Sequence, residues 1–372
     1  MTSVLHVIDR SCDETQLQVL DRLRARLTSE GRQHVVCSID PEMMQRGSVH
    51  LGEAIVPAFR RLPRFMNWVP SLQDVVSDSG TNIVHAWGIE AAAACSTRLP
   101  GIPLVMTLLD PDVARDAANW VRSFPTSATV VAGSQVIRSR LVTAGVAPEQ
   151  VVVIRGPADF GAINRAREND IRREIVGDAG PVLLTGGPAS RGGGQYYGLW
   201  AAAILKQVFP DLTVIVPYDS PERRRLLRFV RQIEMPSLIT PTDSRLTWPE
   251  MAVCADVFVM PAVDEVCIEP LATAMAAGLV VVGTAVRSIA EVIADRNNGL
   301  LCKNSGARLV AGRILNALED ESLRRQVTEI ARGQAFEVFG IRAFVDNYAQ
   351  VYDNLLTGKT PGEKVKDTAM VA

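Results

Sequence analysis

Between Asp264 and Leu300 the chain reads DEVCIEPLATAMAAGLVVVGTAVRSIAEVIADRNNGL, and few folds accommodate that alternation. Just before it, Asp256 to Met260 (DVFVM) has the length and β-branched content of a buried strand. Pro270 suits the first turn of a helix and pushes Glu269 toward extended geometry. The spacing therefore predicts a helix from near Glu269 to just before Gly278. Alanines at positions 272, 274, 276 and 277 let that helix pack closely. Leu279 to Gly283 is a second buried strand, and Ser288-Ile-Ala-Glu291 has the pattern of a capping box opening another helix. Strand, helix, strand, helix makes a right-handed parallel unit. The turn after Met260 meets a helix N-terminus, a natural anion site. Glu265 in that turn cannot hold a phosphate, but it can accept hydrogen bonds from sugar hydroxyls beside one.

A chain of 372 residues is long for one core and natural for two domains of Rossmann size. With 39 basic against 41 acidic side chains, no general field pulls it toward nucleic acid, and DNA or RNA binding is not expected. The cysteines, Cys12, Cys37, Cys95, Cys254, Cys267 and Cys302, lack CxxC spacing, so neither a zinc site nor a disulfide framework is indicated. The N-terminus runs straight into a strand and no stretch is apolar enough to span a bilayer. The expectation is a cytoplasmic protein, soluble or peripheral at the inner membrane face.

Val4 to Ile8, a helix from Glu14 to Leu27, and Val35 to Ile39 open an α/β domain. The turn after the first strand, Asp9-Arg-Ser-Cys-Asp-Glu14, contains no glycine, which disfavours a dinucleotide enzyme. Glu53 to Leu72 interleaves Arg60, Arg61 and Arg64 with Phe59, Leu62, Phe65, Met66, Trp68 and Val69. It reads first as a helix packing on its own domain with solvated arginines, and second as a surface for a lipid-linked acceptor or anionic membrane. His85 ends a strand, where a histidine is more often structural than catalytic. Asp110-Pro111-Asp112 mimics a metal motif but reads better as a loop with a helix cap. Ser134 is a further N-cap, for a helix running to Ala144. Pro181 to Thr185 is a strand leading into Gly186-Gly-Pro-Ala-Ser-Arg-Gly-Gly-Gly194. That glycine-rich turn lets backbone approach a pyrophosphate, with Arg191 for charge-assisted contacts, and it lacks the lysine and hydroxyl of a P-loop. A solvent-facing arginine on a flexible loop is the alternative.

The sequence resembles the retaining glycosyltransferases of the GT-B fold, family-four type, whose donor motif reads like EGFGLVLLEAMACGLPVV and continues like GGIPEVVEDGETGLLV. Glu265 matches the first glutamate, Ala274 to Val282 match AMACGLPVV, and Ser288 to Ile293 with Asn298 to Leu301 match the remainder. Thr129 to Asp159 is similar to the segment that closes the family's first domain. Thr273 stands where the family has its second glutamate, and Val266 and Ile268 replace glycines that lie against phosphate. Arg191 falls on the phosphate-binding lysine, Gly187 where the family has an arginine, and Leu109 where it commonly has a histidine. The first loop also lacks the family's usual glycine pair.

The resemblance implies two Rossmann-like domains facing across a cleft. The N-terminal, acceptor-side domain covers 1–160, a connector 161–180, and the nucleotide-sugar domain 181–335. A helix at 336–356 crosses back to the first domain, and a tail at 357–372 is disordered. It further implies sugar transfer, with retention and without a bound metal or cofactor, from a nucleotide-sugar to a carbohydrate or lipid-linked acceptor. Glu265 is the expected catalytic residue, and Arg191, Gly187, Cys267, Ile268, Glu269 and Thr273 the donor-binding set. Because several motif positions are altered, a second reading is a catalytically silent GT-B protein that binds sugar-nucleotides or partners a true transferase. A sugar-nucleotide epimerase on the same fold ranks last, since the second domain contains no histidine.

Overall fold

The computed structural model describes residues 2–12, 14–51, 55–58, 71–122, 128–178, 180–186, 191–218, 220, 222–240, 242–243, 245–363 and 365. The chain forms two compact units, Met1–Gly156 with Ile341–Asp367, and Pro157–Gly340.

In the first unit, seven parallel strands are β1 (Ser3–Ile8), β2 (Gln33–Ser38), β3 (Val56–Pro57), β4 (Ile83–Ala86), β5 (Leu104–Leu108), β6 (Thr129–Ala132) and β7 (Val151–Val153). Their order in the sheet is β3-β2-β1-β4-β5-β6-β7. The second unit has β8 (Val182–Thr185), β9 (Thr213–Ile215), β10 (Ile239–Thr240), β11 (Val257–Met260), β12 (Val280–Thr284) and β13 (Leu300–Cys302). They lie in the order β10-β9-β8-β11-β12-β13, with Val257 opposite both Val280 and Leu183. Both are doubly wound Rossmann-like sheets. β4, β5, β8, β11 and β12 are buried along their whole length, which is why they read as mainly apolar runs, broken in β4 by His85 and in β5 by Thr107, rather than as alternating ones.

Local signals set the elements. The Glu269–Ala276 helix carries Pro270 in its first turn, and Gly278 just beyond it adopts φ +72°. Asp110 Oδ1 accepts from the Asp112 backbone N–H at 2.8 Å, so the Asp-Pro-Asp sequence is a helix cap. Ser134 likewise caps the Gln135–Thr143 helix. Residues 161–180, expected as connector, carry most of the helices Phe160–Glu168 and Ile171–Val176, which belong to the second unit. Asp159 caps the first of these, and its Ile163 and Ala166 are buried, a pattern masked by the charge around it. The arginine-rich run anticipated around Phe59 to Trp68 lies outside the described residues.

The final helix, Ile341–Leu356, packs in the first unit through a buried polar chain. Tyr352 Oη meets His85 Nδ1 at 2.7 Å. His85 Nε2 meets Thr107 Oγ1 at 2.8 Å, and Thr107 meets Tyr348 Oη at 2.9 Å. Trp87 Nε1 donates to His6 Nδ1 at 3.1 Å, and His6 Nε2 meets His34 Nδ1 at 2.8 Å. Every member except His34 is fully buried, so His85 is a structural clasp rather than a site residue. The turn after this helix, expected to be disordered, is held as far as Glu363 by Asn354 Nδ2, which donates to the carbonyls of Pro361 and Glu363 at 3.0 and 2.8 Å.

Burial holds the imidazoles of His6 and His85 well below their ordinary value and, with help from Arg32 and Arg24, brings His34 down to about 4. In the unfolded chain these rings protonate near pH 6.5, and in the native chain they stay neutral. Their contribution to stability is complete above about pH 6.5 and is lost as the pH falls below it, by about 1.4 kcal/mol per pH unit per ring. Urea unfolding at pH 7.5 and 5.0 should show the loss, and a slope contribution unchanged in a His34→Asn variant would refute it. Tyr352→Phe should cost about 1–3 kcal/mol by orphaning His85 Nδ1, measured in the same titration.

Candidate functional site

The second sheet reverses its winding between β8 and β11. The chain leaves β8 toward β9 on one side and β11 toward β12 on the other. In a parallel sheet the loops at the carboxyl ends of such a strand pair diverge and leave a crevice for a ligand. The glycine-rich loop follows β8, and the acidic loop follows β11.

These two loops are joined by backbone. The Val263 N–H donates to Gly192 O at 2.8 Å. A Cβ on Gly194, whose φ is +72°, would lie 1.9 Å from the Pro261 carbonyl oxygen, so only glycine closes this contact. Gly186 is equally constrained, because a Cβ there would meet the Phe258 ring at 1.9 Å. Buried Gln195 steadies the turn, with Nε2 toward Gly186 O at 3.4 Å and Oε1 accepting from Ser220 Oγ. Arg191 begins the short 3-10 turn Arg191–Gly193, so its backbone stands beside the acidic loop. Its side chain, like all of Gly187, lies outside the described residues.

The acidic loop is in turn strapped to the loop after β12. Glu265 Oε2 accepts from the Ser288 N–H at 2.8 Å, and Oε1 faces Arg287 Nε at 3.3 Å. The Val266 N–H donates to Ser288 Oγ at 3.0 Å, and Thr284 Oγ1 donates to Ala262 O at 2.6 Å. Ser288 thus serves the neighbouring loop. The capping box expected at Ser288 to Glu291 does not form, because the Arg287–Ala290 helix starts two residues earlier, with Val286 as its N-cap. Glu265 is 13% exposed and Arg287 68% exposed, which leaves a carboxylate edge and a cation at the surface.

The remaining predicted residues divide. Cys267 Sγ donates to Glu269 Oε2 at 2.6 Å, placing Glu269 at the positive end of its own helix, where a carboxylate is favoured. Thr273 lies one turn on from Glu269 and is buried. Ile268 points into the apolar core with Val266, so the site can use only its backbone. Neither the Glu269–Ala276 helix nor the Gln195–Leu205 helix is capped by the side chain of its N-cap residue. Arg287 and Ser288 were missed as site residues. Their signal was a charged and a polar residue in the turn after a buried strand, across from a carboxylate-bearing turn.

The first sheet has the same reversal between β1 and β4, yet its crevice is filled. Buried Asp9 accepts from the Ala91 N–H at 2.7 Å and the Ser11 N–H at 2.8 Å. A Cβ on Gly88 would lie 2.3 Å from Asp9 Oδ2. The chain's own carboxylate occupies the helix N-terminus that an anionic ligand would use.

Residues 189–334 match the model of a family described as "Glycosyl transferases group 1". Over 162 residues the chain is 27% identical to N-acetyl-alpha-D-glucosaminyl L-malate synthase of Bacillus anthracis, a match covering 44% of this chain and 42% of that protein, less than half the relative's length. Among solved structures, Anabaena Alr3699/HepE in complex with UDP-glucose is similar over 95% of this chain and 100% of its own, at TM-score 0.76 and 17% identity. WaaG, a glycosyltransferase involved in lipopolysaccharide biosynthesis, is similar at TM-score 0.71 and 17% identity, over 94% and 99%. A glycosyltransferase from Rickettsia africae gives 0.74 and 13%, over 96% and 99%. The fold is two Rossmann-like α/β domains of the GT-B class.

Gly194→Ala should force the two loops apart and cost about 1–3 kcal/mol in chemical denaturation. Gly312→Ala, at an exposed position of the Ala307–Glu319 helix with open space around it, should be neutral or stabilising.

Proposed function

We propose that this chain is a glycosyltransferase moving a sugar from a nucleotide-sugar to a carbohydrate or lipid-linked acceptor, with the donor held on the second unit. The observation that carries the reading is the junction at the β8–β11 reversal. There a glycine loop, tight enough to admit only backbone, meets a carboxylate-bearing loop and two helix N-termini. The family match begins at residue 189, inside the glycine loop after β8, and runs through β11 and the acidic loop, and a protein of like fold is known with UDP-glucose bound.

In the reaction the bond from the sugar's anomeric carbon to the diphosphate oxygen breaks, and the diphosphate leaves with the electron pair. An acceptor hydroxyl oxygen bonds that carbon, and its proton passes to the departing diphosphate oxygen. With retention, the new bond lies on the face the diphosphate left. Backbone N–H groups of the glycine loop and the first turn of the Glu269–Ala276 helix, together with Arg191, offset the charge gathering on the diphosphate. Arg287 adds an exposed cation on the same side, and transfer uses these cations and N–H groups in place of a metal ion. Glu265 is held by Ser288 and Arg287 before any donor arrives, and its unused lone pairs accept from donor-sugar hydroxyls. Donor binding at Glu269 and Thr273 is confined to the surface of the first helical turns, because both side chains are largely buried.

Glu265→Gln and Arg191→Ala should each lower transfer by about a hundredfold. Thermal melts with UDP, GDP, ADP and their sugars should reveal the donor, since a ligand at about a hundred times its dissociation constant adds about 2.7 kcal/mol. Full transfer by both variants, or no shift with any nucleotide, would overturn the reading.

A further inference from the structure

The outer face of one helical layer in the second unit carries a surface that the donor site does not use. The Gln195–Leu205 helix turns Gly198, Leu199, Ala202 and Leu205 inward. It turns Tyr197 (40% exposed), Trp200 (44%) and Ile204 outward, with Val208 (55%) just past its end. Four large apolar side chains at helical spacing on one solvent face are more than scattered exposure produces.

The next helix, Arg223–Gln232, reads RRRLLRFVRQ, with no acidic residue. Leu226, Phe229 and Val230 face the core, and Arg224, Arg225, Arg228 and Arg231 stand exposed. The two helices are neighbours on the same side of the sheet. The Trp200 ring stacks on Phe229 at 5.1 Å, and the Arg225 guanidinium lies 4.2 Å over the Tyr196 ring. Glu222 is buried and paired with Arg225, and the nearest exposed acidic group that follows is Glu234. The other three exposed arginines have no ion pair among the described residues, although the chain as a whole is close to neutral.

We propose that this face docks on an anionic lipid surface, with Tyr197, Trp200, Ile204 and Val208 entering the headgroup region and the arginines meeting lipid phosphates. Aromatic and branched apolar side chains flanked by a one-signed cluster are what an interfacial contact requires. Charge complementarity separates this occupant from a second copy of the chain, because the exposed charges of the Arg223–Gln232 helix are all basic and would repel those of a copy.

The full-length protein should cosediment with phosphatidylcholine vesicles containing phosphatidylglycerol, not with phosphatidylcholine alone, and added salt should release it. Arg224→Ala with Arg228→Ala should weaken partitioning about thirtyfold, at about fivefold per arginine. Trp200→Ala should also weaken it without changing the salt dependence. Should Trp200→Ala fail to fold, Val208→Asp tests the same face from a position outside the helix. Partitioning unchanged in these variants would place the contact elsewhere and overturn the proposal. So would dimers in sedimentation velocity that Trp200→Ala dissolves without effect on vesicle binding, or retention on a single-stranded oligonucleotide with none on vesicles.

Discussion

Two backbones meet where Gly194 passes the Pro261 carbonyl, and the second unit's functional edge depends on that approach. With any side chain at Gly194 the first Cβ would occupy the space of the carbonyl oxygen, and its positive φ would strain an L-residue independently. Because the contact is backbone on backbone, neither loop can yield by turning a rotamer. The Val263 to Gly192 hydrogen bond then fixes their relative height, and the Glu265 and Val266 bonds to Ser288 extend the same rigidity to the loop after β12. Three successive strand ends of the sheet are thereby tied by short-range bonds. Such preorganisation is what a site needs if it is to meet charge without rearranging.

The two reversals of winding show how one architecture is specialised. In the first unit the helix after β4 begins over Asp9, whose carboxylate uses the N–H of Ala91. A phosphate brought there would face like charge and find its donor already taken. In the second unit the corresponding loop carries glycine instead of an acid, and the Glu265 carboxylate across from it is turned onto Ser288 and Arg287. The absence of glycine between Asp9 and Glu14 and its abundance between Gly186 and Gly194 are therefore two sides of one physical distinction.

Much of this was legible in the residues, because the determinants are local. Pro270 and Gly278 bracket a helix by φ restriction alone, and buried valine runs mark parallel strands wherever they occur. Asp110 and Ser134 declared themselves as caps. The failures were non-local. Ser288 carries a capping pattern, yet its hydroxyl is claimed by a backbone N–H 22 residues away, and no local rule weighs such a competitor. Charge hid the helices at 161–180, where burial of Ile163 and Ala166 decided the outcome. His85 looked like an isolated histidine because its partners, Thr107, Tyr348 and Tyr352, lie 22 or more residues away.

That histidine explains why the last helix is held by polar groups when an apolar seam would bind as tightly. Apolar side chains along Ile341–Leu356 would tolerate sliding by a turn, since shape alone discriminates poorly among similar registers. Here Tyr348 and Tyr352, one turn apart, present hydroxyls to a histidine and a threonine on adjacent strands. Any shift in register would bury several donors and acceptors without partners, at about 1–3 kcal/mol each. The polar chain selects one register, and with it the position at which the last helix lies against the sheet built from the chain's beginning.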